Sequence, residues 1–318
     1  MKKLALLVAL MLVVAGAAQA ADWYELQYNM DSGHQSYYKM TMDMEAKIQA
    51  LGTEMPPMVL QMEQLMSQEV VSVEDDEFTV TFEQKPVKLM LNNKAQKIPD
   101  MSKDIPKMFI VYDKYGDLKK FLVGEGEEQQ DASAAMSSLP SLLGSQFPAG
   151  LGDFLGQLTT QVQRFIDTDM PELPKEAVQV GYKWYSYFQS QAGEPVTLNM
   201  VTENTLMQAS DTACAIQTVS KADFALSAPV PMPDGGASQM AIAGTFTAAL
   251  WSERDVLTGE LISMTTLPGA PLQINLTASG NIPLGPGAQA QPIAATVAVT
   301  GKLSIRPTEA FTLADSTN

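Results

Sequence analysis

KMTMDMEAKI, residues 39–48, decides how this chain folds. Its apolar side chains, Met40, Met42, Met44, Ala46 and Ile48, fall on every second residue, and Lys39, Thr41, Asp43, Glu45 and Lys47 fill the places between. A helix would scatter the two sets around its circumference, whereas an extended strand puts one on each face. The same period recurs at both ends of the chain, in EFTVTFE (77–83) and in ATVAVTGKLSI (295–305). The reading is a mainly β protein. Between the runs stand turn formers: Asp31-Ser32-Gly33-His34, Glu74-Asp75-Asp76-Glu77 and Asn92-Asn93. Strands adjacent in sequence are therefore expected to pair antiparallel.

Further out, FIVYDKYGDLKKF (109–121) sets Asp113, Gly116 and Asp117 between two apolar runs, and Ala249 to Leu261 echoes it with Asp255, Gly259 and Glu260. A calcium loop needs more oxygen ligands before its glycine and a glutamate well after it, so both read as hairpin turns. WYELQY at Trp23 matches WYSYFQ at Trp184, and SQEVVSVEDDEFTVTF loosely matches ENTLMQASDTACAIQTV. The order of these matches implies an internal duplication. The expected architecture is two tandem curved antiparallel sheets, half-barrel-like, with one amphipathic helix between or against them.

That helix is expected over residues 153–167, where Phe154, Leu155, Leu158, Val162, Phe165 and Ile166 recur three and four apart. The organisation that follows is a signal peptide (1–20), an N-terminal β repeat (21–124), a Ser/Ala/Gly-rich connector carrying the helix (125–177), a C-terminal β repeat (178–306) and a tail (307–318). Lys2 and Lys3 precede an unbroken apolar run that ends in Ala18-Gln19-Ala20, the form of a secretory signal cleaved after Ala20. The expected location is the periplasm or the exterior. No later run is long enough for a spanning helix.

Cleavage leaves 298 residues with 18 basic and 36 acidic side chains, a net charge near −18. Such a field repels phosphate backbones and anionic lipid, which disfavours nucleic acid as a partner. The lone cysteine, Cys214, shares a strand face with Ile216 and is expected as a buried, inert thiol.

LPKEAVQVGYKWYS (173–186), a proline followed by Val-x-Val-Gly-x-x-Trp, together with the later Asp255-x-x-x-Gly259-Glu260-Leu261 turn, resembles a family of uncharacterised secreted bacterial proteins. The resemblance spans residues 170–264 and implies a β architecture with no activity attached. Long antiparallel strands around an amphipathic helix also resemble, distantly, the half-barrel of periplasmic lipoprotein carriers.

The sequence offers no catalytic set. It contains no Gly-x-Ser-x-Gly elbow and no nucleotide-binding glycine loop. Asp31-Ser32-Gly33 lacks an equivalent second carboxylate for aspartic-protease chemistry, and His34, the sole histidine, has no companion ligand nearby. His34 is expected as an exposed turn residue. No enzyme, cofactor or metal is expected.

Methionine is the compositional anomaly, with eleven of the eighteen beyond residue 20 lying between Met30 and Met108. Met40, Met42 and Met44 share one strand face and are the candidate lining of an apolar cavity, which makes a lipid or other hydrophobic molecule the expected ligand. The alternatives are a methionine-rich copper-binding protein of the envelope and a structural or adaptor protein engaged through an edge strand or the loop Pro229 to Gly236.

Overall fold

The structure is a computed structural model that describes residues 22–50, 52–96, 108–123, 130–131, 172–189, 196–231, 237–283 and 290–311. The expected helix over 153–167, the signal peptide and most of the 125–177 connector lie outside the described residues. Fifteen strands are described: β1 Gln35–Ala50, β2 Thr53–Glu54, β3 Met58–Glu74, β4 Glu77–Leu91, β5 Lys94–Ala95, β6 Met108–Asp113, β7 Leu118–Val123, β8 Gln130–Asp131, β9 Lys183–Gln189, β10 Val196–Ala209, β11 Ala213–Pro231, β12 Ala237–Asp255, β13 Leu261–Thr266, β14 Leu272–Pro283 and β15 Ala290–Pro307.

All belong to one antiparallel sheet in the order β8-β7-β6-β4-β3-β1-β15-β13-β12-β11-β10-β9, with β14 continuing the line of β13 between β12 and β15. Where two tandem sheets were expected, the halves form one. The join is β1 on β15, thirteen consecutive rungs from Tyr38↔Pro307 to Ala50↔Ala295. Each of these strands would otherwise present an unpaired edge. Both also carry an apolar face of the same period, so pairing satisfies their backbones and continues that face without a break.

Turn chemistry sets the hairpins. Asp75 and Asp76 join β3 to β4 with φ of 50° and 66°, and Asn92 and Asn93 turn β4 into β5 with φ of 51° and 62°. Two successive left-handed residues are what a two-residue loop between right-twisted strands needs, and Asp and Asn tolerate them best among residues with a side chain.

The two halves share local geometry beyond strand order. Gly33 donates to Val70 and Val70 to His34, while Gly181 donates to Leu206 and Leu206 to Tyr182. His34 in turn donates to the Asp31 carbonyl and Tyr182 to that of Gln179. Each ladder slips by one residue just after this point, between Val70 and Ser72 and between Leu206 and Gln208. Met30-Asp31-Ser32-Gly33 therefore occupies the place of Val178-Gln179-Val180-Gly181. Trp184 then corresponds to Ser36 and not to Trp23, which is 67% exposed outside the strands.

The inner faces of the halves meet over one core. Val70, Phe78, Val80 and Tyr112 from the first half cluster with Trp184, Leu206, Cys214 and Ile216 from the second, around Leu26, Tyr28 and Met30 of the N-terminal segment. That segment crosses the end of the sheet. Tyr24 and Val178 exchange backbone hydrogen bonds, Tyr28 N–H reaches the Lys114 carbonyl and Asn29 N–H reaches that of Thr258.

Candidate functional site

Met40, Met42 and Met44 do share one face, as their spacing requires. Met40 and Met42 are buried, in a cluster with Tyr38, Met66, Leu261, Met264, Leu303 and Ile305, and Met44 and Met62 pack at its margin. Six thioethers thus gather from β1, β3 and β13, a concentration that spacing within one strand did not reveal. The unbranched thioether fills irregular gaps, which suits a face where strands of unequal length meet.

Beyond this cluster the same face opens. Burial falls on one rung in neighbouring strands: up to Met42 and Leu303 the inward side chains are buried, and Met44 beside Gly301 is half-buried. Every inward residue of the next rungs is half-buried, namely Ala46–Val299–Ile274, Ile48–Val297–Leu276 and Ala50–Ala295–Ala278. All are aliphatic. A groove of about 740 Å³ crosses five strands at the rung Ile48–Val297–Leu276–Gly244–Phe224, and most of its lining, Lys47, Gln49, Asp223, Asn275 and Thr296 included, alternates with that rung and belongs to the outward set. Gly244 is required there, because a Cβ would lie 2.6 Å from the Phe224 ring and 2.8 Å from Leu276 Cδ2.

The opposite, closed end carries the polar groups. Asp113 Oδ1 accepts the amides of Tyr115 (2.9 Å) and Asp117 (3.0 Å), and Oδ2 meets Lys119 Nζ at 2.9 Å. Burial pushes this carboxyl up, but Lys119 and the two amides outweigh it and hold it below the usual carboxylate range. Asp117 is met by Lys175 at 2.6 Å and by Lys119 at 3.6 Å. Both carboxylates are therefore neutralised by lysines, and the stretch is a hairpin turn. In the second half Asp255 does the same: Oδ1 accepts the amides of Leu257 (2.8 Å) and Thr258 (2.9 Å), while Asp255 N–H bonds the Glu260 carbonyl as Asp113 N–H bonds that of Asp117.

His34 is half-buried, where exposure was expected, because Glu260 comes to it from 226 residues away: Glu260 Oε2 is 3.3 Å from His34 Nε2. Buried Ser36 donates from Oγ to Glu260 Oε1 at 2.6 Å and lies 3.2 Å from the same His34 Nε2. A serine–histidine–acid relay needs the acid on Nδ1, leaving Nε2 for the serine. Here both address one nitrogen, so the trio ties the start of β1 to the β12–β13 turn and is not a relay. Cys214 is buried and unpaired. Burial pushes its thiol up, an effect the neighbouring Arg254 only partly offsets, which leaves it a poor nucleophile.

Arg254 is the residue that period and spacing gave no reason to single out. It follows polar Ser252 and Glu253, yet it faces inward, paired across the sheet with Cys214 and Leu261, at 2% exposure. Nη1 donates to the Gly259 carbonyl at 3.1 Å, and the guanidinium carbon lies 6.0 Å from the centre of the Tyr28 ring. Gly259, with φ of 75°, makes room for that ring, since a Cβ would sit 2.6 Å from Tyr28 Cδ1.

No protein-family model matches this chain, and no curated protein sequence matches it. Among solved structures it is similar to an outer membrane channel of Pseudomonas putida F1, at 8% identity over 88% of this chain and 97% of that one, with a TM-score of 0.24. It is also similar to a loop-deletion form of OmpT, an outer membrane protein of Vibrio cholerae (8% identity, 86% and 100% covered, TM-score 0.24), and to OmpF of Salmonella typhi in complex with daunomycin (6%, 87% and 100%, TM-score 0.24). At that level of superposition what is shared is antiparallel strand content, and no property of those proteins follows for this chain.

Proposed function

We propose that this is an exported, non-catalytic binding or carrier protein for an apolar ligand of the cell envelope, its sheet acting as a half-barrel closed at one end. The observation that carries this reading is the run of aliphatic rungs from Ala46–Val299–Ile274 to Ala50–Ala295–Ala278, which continues the core face but stays half-buried. Contiguous apolar surface left in contact with water marks a binding site more often than an idle surface. The polarity of the strands also favours a water-borne protein. Outward residues of β1 and β14 are Lys39, Asp43, Glu45, Lys47, Gln273 and Asn275, whereas a membrane barrel needs an apolar exterior.

Native mass spectrometry of protein purified gently from its own envelope tests the reading, alongside titration with an apolar dye. A bound mass released on denaturation, displaced by the dye, is expected. A bare polypeptide that leaves the dye dark would remove the main support. The six gathered methionines give copper a second claim, since thioethers are soft ligands suited to Cu(I). Unchanged Cu(I) affinity in the triple variant Met40→Leu, Met42→Leu, Met44→Leu would sink it.

A further inference from the structure

A buried guanidinium is costly unless the chain supplies a counter-charge and acceptors for its N–H groups. Arg254 is such a buried group. Among the described residues no ion pair includes it. The acids nearest in sequence on the turn are committed elsewhere: Asp255 caps Leu257 and Thr258, and Glu260 is held by Ser36 and His34.

Which atoms are left unpaired is informative. Nη1 is satisfied by Gly259, whereas Nε and Nη2 are buried and, among the described residues, meet no acceptor. These two nitrogens form one edge of the guanidinium, and their N–H bonds point in parallel. That spacing matches the two oxygens of a carboxylate, the arrangement that makes arginine a bidentate receptor. The fold itself does not call for a cation at this position. Arg254 immediately precedes the turn aspartate Asp255 and sits at a register slip, and the residue in the same place before Asp113 is Tyr112, also buried at a slip.

We propose that Arg254 is a carboxylate-binding site, its Nε–Nη2 edge receiving either a free small acid or the head of an amphipathic acid. The second source rests on the carrier reading, and the first does not.

Thermal melting of the purified protein, titrated with acetate, dodecanoate and dodecanol, tests it. One or both acids should raise the melting temperature saturably, on the order of 5 °C at about 100 times Kd. Arg254→Met and Arg254→Lys should both abolish that rise, since lysine keeps the charge but lacks the paired N–H edge. Acetate acting alone or together with dodecanoate identifies a free-acid site, and dodecanoate alone identifies an amphipathic acid. Dodecanol lacks the carboxylate and reads the apolar face only. Dodecanol raising the melt of wild type and both variants while neither acid acts even on wild type overturns the arginine site and spares the carrier reading; acids that act on wild type alone, with dodecanol inert throughout, overturn the carrier and spare the site. A wild-type melt indifferent to both acids, or a rise that survives Arg254→Lys, overturns the proposal and leaves the edge to ordered water. Should the variants not fold, protein labelled with ¹⁵N-arginine, which has only three such residues, supplies the readout: an Nε–H resonance protected from exchange must move with added acid, and a static one counts against the site.

Discussion

The turn at Asp113 and the turn at Asp255 are built alike and used differently. In each, a carboxylate caps two amides of its own loop, a glycine with positive φ completes the bend, and the ladder slips by one residue just before it. Two successive residues of the N-terminal segment dock on them, Tyr28 on the carbonyl of Lys114 and Asn29 on that of Thr258. What differs lies beneath. The first turn covers Tyr112 and is ringed by Lys119 and Lys175; the second covers Arg254 and is joined by Ser36 and His34. The difference teaches that shared geometry here belongs to backbone requirements, while the inward side chain is free to be specialised.

The largest expected effect tests whether the two halves carry one core. Leu206→Ala should cost about 2–5 kcal/mol in urea unfolding, and its counterpart Val70→Ala somewhat less because fewer carbons are removed, with both melting the whole sheet in a single transition. Two separate transitions would break the comparison into independent domains. Next comes Gly259→Ala, at about 1–3 kcal/mol, for it meets the Tyr28 ring as well as a left-handed backbone. Gly269→Ala, equally left-handed at φ of 80° but in open space, should cost only about 1 kcal/mol.

A smaller effect is expected from Asp113→Asn, on the order of 1 kcal/mol at neutral pH. Because the folded carboxyl is held below its unfolded value, its contribution is full above about pH 4 and disappears as pH falls through the lower folded value. The variant should accordingly lose less stability than wild type as pH falls below about 4. An unchanged acid limb would show that Lys119 and the amides do not bias this group. The smallest effect is predicted for Arg254→Tyr, which gives the second turn the residue of the first. In carboxylate-free buffer it should be neutral or slightly stabilising, and a large loss would show that the arginine is structural.

Much of the frame could be read from composition and period. Alternation in 39–48 and 295–305 located the strands and their apolar face, and the acid and amide pairs located the turns, because both signals are local. The loose match between 67–82 and 203–219 also falls where the halves share hydrogen bonds. The aromatic match of Trp23 with Trp184 did not hold, for tryptophan at the start of a strand carries no positional requirement, whereas glycine at positive φ does. Gly33 and Gly181 were the better markers. Burial of Arg254 and of the Ser36–His34–Glu260 contact was illegible for a different reason. Both depend on segments that meet across more than two hundred residues, and an arginine flanked by Glu253 and Asp255 reads as surface although it keeps the inward period of Ala248, Leu250 and Ser252.

The pairing of β1 with β15 governs how the molecule must come into being. Residues 38–50 pair early with β3 and β2 along one edge, but along the other they find partners only at 295–307, so a chain emerging from its N-terminus holds that second edge unpaired until nearly its last residues are available. Contacts of such long sequence separation form slowly, and a waiting strand of this kind invites pairing with other chains. Assembly should therefore be limited by the arrival of the final strand, and loss of the last twenty or so residues should lead to aggregation and not to a smaller folded protein.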